Sequence, residues 1–118
     1  MVTPTFHQES TSGQWSDRSI SFQLASVGAE FGRSAKEKVR GISFDKSPAF
    51  DRMIELIDLT IEDPKNSKRL SELCKLRECL CDFLAGSNTW QSSAEYFDRY
   101  FMDFALEAQG QRHQQYSA

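Results

Sequence analysis

The sequence predicts an all-α protein of a single domain, folded as an up-and-down four-helix bundle with flexible termini. The chain has 118 residues, which is enough for one hydrophobic core and few for two. Four segments repeat apolar residues at spacings of three and four, the period of one helix face. Short links join the last three segments, and short links favour antiparallel neighbours. We expect disordered tails at residues 1–15 and 109–118, and the four-helix domain at residues 16–108.

The first predicted helix covers residues 16–40. Ser16 or Asp17 is its expected N-cap, and Gly41 follows a basic last turn. Spacings of four, three and four make one buried stripe, which consists of Ile20, Leu24, Val27 and Phe31.

A second side of this helix is almost without bulk, because the segment ASVGAEFG places Gly28 and Gly32 there beside Ala25 and Ala29. A glycine costs about 1 kcal/mol relative to alanine in a helix interior. We therefore expect another helix to pass close to this side. A bend or break near Gly28 is the alternative.

The second predicted helix begins at Ser47 and Pro48 and stops two residues before Pro64. Serine is a favoured cap, proline is tolerated at the first helical position, and a proline disfavours helix in the residue before it. The predicted core face consists of Phe50, Met53, Ile54, Ile57 and Ile61. Leu56 and Leu59 fall outside that face.

The third predicted helix starts near Asn66 or Ser67 and ends at Gly86. The fourth starts within SSAE, where Ser92 and Glu95 have the spacing of a capping box, and ends near residue 108. The apolar arc of the third helix consists of Leu70, Leu73, Leu76, Leu80, Phe83 and Leu84, and the aromatic face of the fourth consists of Phe97, Tyr100, Phe101, Phe104 and Ala108.

All three cysteines of the chain, Cys74, Cys79 and Cys81, lie at the edges of the apolar arc of the third helix. Helical geometry keeps them from pairing, because Cys74 and Cys81 are about 10 Å apart along the axis and Cys79 points away from Cys81. Zinc ligands usually flank a tight turn instead. We expect small buried hydrophobic side chains here and no metal or cofactor. A reactive thiol beside Lys75 and Arg77 is the lesser alternative.

The composition and the missing motifs limit which functions the sequence supports. The net charge of −3 and the pI near 5.4 provide no overall attraction to nucleic acid or to an anionic membrane. No run approaches the roughly 18 apolar residues of a membrane span, and the N-terminal residues lack the pattern of a signal peptide, so we expect a cytoplasmic protein. The sequence contains no Walker loop, GxGxxG, HExxH or GxSxG motif. We therefore expect no enzyme activity; an enzyme would need catalytic groups from a partner chain or an unusual pairing of a carboxylate with an arginine.

Five apolar residues exceed what a single narrow core stripe needs, namely Leu56, Leu59, Trp90, Met102 and Leu106. An exposed apolar surface of this kind indicates a protein partner or a homo-oligomer. We therefore predict a non-catalytic interaction protein that binds a partner or assembles with itself. The alternative is that the helices are covered on two sides and these residues are core.

A basic cluster near the start of the third helix suggests a second function, nucleic-acid binding by an accessory protein. The cluster consists of Lys65, Lys68, Arg69, Lys75 and Arg77. The alternative is an ordinary solvated face, in which Lys68 pairs with Glu72 at i,i+4 and little follows for binding.

Three segments, QLASVGAEFGRS, FDRMIELIDLTIEDPKN and LRECLCDFLAGSNTW followed by YFDRYFMDFALEA, resemble a group of small bacterial helical proteins without an assigned function. The resemblance covers about residues 16–108. It implies a bacterial, cytoplasmic origin and marks an LRExxCD element at residues 76–82. It implies no activity and no site.

Overall fold

The computed structural model describes the backbone of residues 12–117 and the side chains of residues 14–111. Within this part the chain is all-helical, with no strand, and forms a single compact globule. Its five α-helices are α1 (Ser12–Ser16), α2 (Ile20–Val39), α3 (Pro48–Glu62), α4 (Leu70–Leu84) and α5 (Ala94–Ser117). Short 3₁₀ helices at Phe44–Lys46 and Pro64–Arg69 precede α3 and α4. None of the described helices is both long and apolar enough to cross a membrane.

α2 is the central helix of the fold. It packs on α3 along one side and on α5 along another, and α3 packs on α4. The predicted stripe is confirmed, since Leu24, Val27 and Phe31 are fully buried and Ile20 packs against the core. The Phe31 ring joins three helices, because its centroid lies 5.0 Å from that of Phe97 on α5 and 6.0 Å from that of Phe83 on α4.

The start of the domain differs from the prediction. Residues 1–11 lie outside the described part, but Ser12–Ser16 is a helix rather than a tail, and Trp15 is buried. The Trp15 indole N–H donates to Thr60 Oγ1 at 3.0 Å. The cap of α2 is Ser19, whose hydroxyl accepts from Phe22 N, so Ser16 and Asp17 do not cap it.

α3 begins and ends as predicted, and Ser47 Oγ accepts the cap hydrogen bond from Phe50 N. The prediction that Leu56 and Leu59 form a partner surface is wrong, because each is only 3% exposed. α3 is covered on two sides, by α2 and by α1 and α4, so its buried face is wider than one stripe. Both leucines belong to the core.

The start of α4 and both ends of α5 also differ from the prediction. α4 is preceded by a 3₁₀ turn and starts at Leu70, four residues after Asn66. α5 is capped by Ser93, whose hydroxyl accepts from Tyr96 N, so the predicted capping box at Ser92 does not form the cap. The helix runs on to Ser117, and residues 109–117 are therefore helical rather than a disordered tail.

The glycine-rich side of α2 is close to another helix at Gly28 and open at Gly32. A Cβ at Gly28 would stand 2.6 Å from Phe101 Cβ, whereas a Cβ at Gly32 would have no neighbour within 4 Å. The expected close approach of a second helix is thus confirmed at Gly28 alone. Gly41 ends the α2 region at a φ of +83°, a conformation that glycine adopts without strain.

Candidate functional site

An open apolar groove runs between α2 and α5, with α4 at its base. Its volume is about 610 Å³, within the usual range of binding pockets. We call it the α2–α5 groove, and it is lined by Gly32, Ala35, Lys36, Lys38, Val39, Phe83, Ala94 and Asp98.

Small residues create this groove. α2 and α5 touch at Gly28, where the Phe101 side chain fills the space that a side chain would need. One turn further along α2, at Gly32, no side chain from α5 follows, so the space above the glycine stays open. Ala35 continues the shallow wall for one more turn, and the half-buried Phe83 ring closes the bottom. The groove therefore begins where the contact between α2 and α5 ends, one turn beyond Gly28.

Val39 stands at the end of the groove and is the most exposed large apolar residue described, at 89%. It follows Gly32 and Ala35 at spacings of three and four, which places all three residues on one side of α2. On the opposite wall, Met102 and Leu106 follow Asp98 at steps of four residues along α5. They are 55% and 58% exposed, so exposed apolar surface extends from the groove along α5.

The two walls carry opposite charges. Lys36 and Lys38 line the α2 wall and Asp98 lines the α5 wall. Lys38 is already engaged, because its ammonium group donates to the Phe83 carbonyl and lies 4.6 Å from the centroid of the Phe83 ring. Lys36 is exposed in the last turn of α2, where the helix dipole favours a cation.

Trp90 lies apart from Met102 and Leu106. Its loop is held by Asp82, whose two carboxylate oxygens accept from Thr89 N at 2.8 Å and from Trp90 N at 3.1 Å. Burial alone would raise the pKa of Asp82, but the donated N–H groups hold that pKa below its ordinary value. The Trp90 indole, 43% exposed, stacks with the Lys75 ammonium group at 3.5 Å from the ring centroid. The five residues predicted as one interface are thus in three places.

The basic cluster is largely engaged within the chain. Lys65 donates to the Asp63 carboxylate and to Ser16 O, and Arg77 donates to Asp58 at 2.6 Å. The guanidinium group of Arg69 lies 5.6 Å from the Phe104 ring centroid, and Lys75 stacks on Trp90 as described above. Lys68 is exposed. A ligand phosphate would have to compete with a contact inside the protein at four of these five positions.

The three cysteines are free thiols in different surroundings. Cys74 is exposed, so the prediction of a buried hydrophobic side chain is wrong there, whereas Cys79 is half-buried against the core. Burial raises the pKa of the Cys81 thiol, and the nearby Arg77 charge offsets this only in part. A raised pKa lowers the thiolate fraction and hence the reactivity.

Among the described residues no group of three or more His, Cys, Asp or Glu side chains is placed to hold a metal ion. The side chains of His7 and His113 lie outside the described part.

A smaller pocket of about 150 Å³ lies between α4 and α5. Tyr100 closes it by donating its hydroxyl to Glu72 at 2.7 Å. Burial and the neighbouring Glu72 carboxylate raise the pKa of Tyr100, so the phenol stays protonated. Cys79 also lines this pocket. The Tyr100 hydroxyl is thus neutral and already paired with Glu72.

A buried polar network ties α1, α2 and the α3–α4 link together. Gln23 Nε2 donates to Trp15 O at 2.8 Å and to Asp63 Oδ2 at 2.9 Å. Asn66 Nδ2 donates to Gln23 Oε1 at 2.9 Å and to Thr60 O at 3.0 Å. These side chains satisfy one another, as buried polar groups must. The network is therefore structural and leaves little capacity for a ligand.

The sequence contained part of the signal for the groove. The sequence showed the stripe of small residues on α2, and from it we expected another helix to pack closely there. Only the structure shows that Gly28 is covered by Phe101 whereas Gly32 is open. The positions of Val39 and Phe83 depend on how three helices meet, and no local pattern gives that.

The chain matches no protein-family model, and no curated protein or solved structure is significantly similar to it.

Proposed function

We propose that this protein is a non-catalytic helical interaction module that binds a protein surface in the α2–α5 groove. The observation that carries the proposal is the groove itself, an open apolar depression of about 610 Å³ with the exposed Val39 at its end. Helix-in-groove binding uses apolar side chains at helical spacing, which seat in such depressions. Two charged walls then fix the register of the bound element.

Met102 and Leu106 are included in the proposed interface because they continue from the groove wall along α5. Their exposed apolar surface enlarges the contact beyond the groove, and a specific interface needs about 800 Å² on each partner. Trp90 lies near α4 and is held by Lys75, so it belongs to the predicted interface only if the partner also covers α4. Leu56 and Leu59 are excluded by their burial.

The architecture proposed for the module is an up-and-down four-helix bundle of α2, α3, α4 and α5, with α1 as an addition. The supporting contacts are α2 on α3, α3 on α4, α5 on α2, and the Phe83–Phe97 ring pair at 5.6 Å between α4 and α5. We also propose a cytoplasmic location, which three unpaired cysteines in the described part favour. Distances between spin labels at the helix ends test the up-and-down arrangement. Fractionation of cells tests the cytoplasmic location.

The function is tested by placing a photo-crosslinking amino acid at position 39 of the full chain in its source organism. We expect a discrete protein adduct from position 39 and none from the exposed Ser71 on α4, which is the control. The adduct should be lost in Gly32→Leu, because a Cβ at Gly32 has no neighbour within 4 Å and we expect the leucine side chain to occupy the groove. Equal crosslinking from both positions, or an adduct that survives Gly32→Leu, would contradict the proposal.

Nucleic-acid binding receives less support, because Lys65, Arg69, Lys75 and Arg77 contact groups of the chain itself. If that function were correct, the protein would bind nucleic acid with an affinity that falls steeply with salt. Replacing Lys68 and Lys75 with glutamate should then abolish the binding. We expect no binding in the unmodified chain at physiological salt.

A further inference from the structure

We propose that the occupant of the α2–α5 groove is a second copy of this chain, bound through a twofold axis that runs along the groove. The inference rests on the proposed function and identifies its partner. Such an axis places α2 of one copy opposite α5 of the other. Each copy then contributes the same surface, as an isologous interface requires.

The charges on the two walls of the groove favour a second copy as the occupant. Lys36 lies on the α2 wall and Asp98 on the α5 wall of the same groove. Rotation about an axis along the groove exchanges the walls, so the cationic wall of each copy faces the acidic wall of the other. Glu95, exposed and three residues before Asp98, adds to the acidic side, and Arg40, exposed and four residues after Lys36, adds to the basic side. The surface is therefore complementary to itself, as an isologous interface requires.

The position of Val39 also favours a second copy as the occupant. Its side chain is 89% exposed at the end of the groove, so it has little to pack against in one copy. Close to the proposed axis, the two Val39 side chains meet each other and cover Ala94 on the opposite walls. The open space above Gly32 and Ala35 lets the paired copies approach closely. Apolar contact at Val39 and Ala94 beside charge pairs of Lys36 with Asp98 is a composition usual for an interface.

The charge pairing is tested by sedimentation velocity of the full chain over a wide concentration range at low and high salt. We expect a monomer–dimer equilibrium that weakens with salt. Lys36→Glu and Asp98→Lys should each raise the dissociation constant about tenfold or more, because each sets like charges opposite one another. The double variant restores the opposite charges across the axis and should recover most of the affinity. Failure of the double variant to recover it would overturn the arrangement.

The apolar contact is tested with Val39→Glu, which should abolish the dimer without unfolding the monomer because the position is exposed. Ser71→Glu adds the same charge on an exposed part of α4 and should leave the dimer unchanged. A chain that is monomeric at every concentration, or a dimer that tolerates Val39→Glu, would overturn the inference. If position 39 then crosslinked to a different protein in cells, the proposed function would stand and only the identity of the partner would be wrong.

Discussion

Thr60 joins the first helix to the third through one hydroxyl group. Its Oγ1 accepts from the Trp15 indole at 3.0 Å and donates to Leu56 O at 2.8 Å, and the residue is fully buried. We expect Thr60→Val to lower the free energy of unfolding by about 1–3 kcal/mol, because the buried indole N–H loses its acceptor. Urea denaturation measures the change.

Thr60→Ser is the matched control for that variant. It keeps the hydroxyl and removes one methyl group, so the expected loss is about 1 kcal/mol. If Thr60→Val were as stable as the unmodified chain, the indole hydrogen bond would contribute nothing and the docking of α1 would rest on apolar contact alone.

Asp63 gives the fold a predictable dependence on acid. Burial by itself would raise its pKa, but the Lys65 ammonium group and the Gln23 amide outweigh that effect and hold the pKa below its ordinary value. The unfolded chain therefore binds this proton more readily than the folded chain, and stability rises with pH through that range. The contribution is complete well above about pH 4, the ordinary aspartate pKa. It is lost as the pH falls through the lower folded-state pKa.

We expect Asp63→Asn to be less stable than the unmodified chain at neutral pH and to show a shallower fall in stability below about pH 4. Denaturant titrations at a series of pH values measure both. Asp51→Asn, which removes an exposed carboxylate on α3, is the control for the change in net charge. An unchanged slope in Asp63→Asn would show that the acid sensitivity resides elsewhere.

At the level of the helix, the two glycines of α2 predict opposite effects of the same substitution. Gly28→Ala places a methyl group 2.6 Å from Phe101 Cβ, and overpacking of this kind costs about 1–3 kcal/mol. Gly32→Ala meets no atom within 4 Å and should gain up to about 1 kcal/mol from helix propensity. Thermal unfolding of the pair under one set of conditions gives the comparison, in which each variant is the control for the other. Equal effects of both would contradict the close approach of α5 at Gly28.

Local chemical signals predicted α3 well. Ser47, Pro48 and Pro64 act through the backbone of their own neighbours, so the sequence alone located both ends of the helix. The burial of Leu56 and Leu59 was missed because it depends on α1 and α4, which reach α3 from other parts of the chain. Trp15 was placed in a tail for the same reason, since its partner Thr60 lies 45 residues away.

The candidate groove was less predictable than the helices. The sequence showed the small residues of α2 but could not show that Phe101 covers Gly28 and leaves Gly32 open. Met102 and Leu106 were correctly expected to be exposed. That they lie beside the groove follows from the packing of α5 on α2, which the sequence does not show. Helix type is a local property, whereas a site between helices is not.

For the whole molecule, a single core predicts a single unfolding transition. The buried cluster runs without interruption from Trp15 on α1 to Phe101 on α5. In Trp90→Phe, Trp15 is the remaining tryptophan and reports on the N-terminal end, while circular dichroism reports on all helices. We expect the two denaturation curves to coincide, as two-state unfolding requires. An earlier fluorescence transition would mean that α1 detaches separately.

The pairing of α2 with α5 also bears on how the protein is made. The contact of Gly28 with Phe101 spans 73 positions, so α2 cannot be covered on that side until α5 has left the ribosome. At about 5–20 residues per second, the interval between completing α2 and completing α5 is roughly 4–16 s. During that interval Phe31 lacks the Phe97 and Phe101 rings that pack on it in the folded chain, so we expect this part of α2 to be open to chaperones. The side of α2 that α5 covers in the folded chain therefore stays exposed until α5 has emerged.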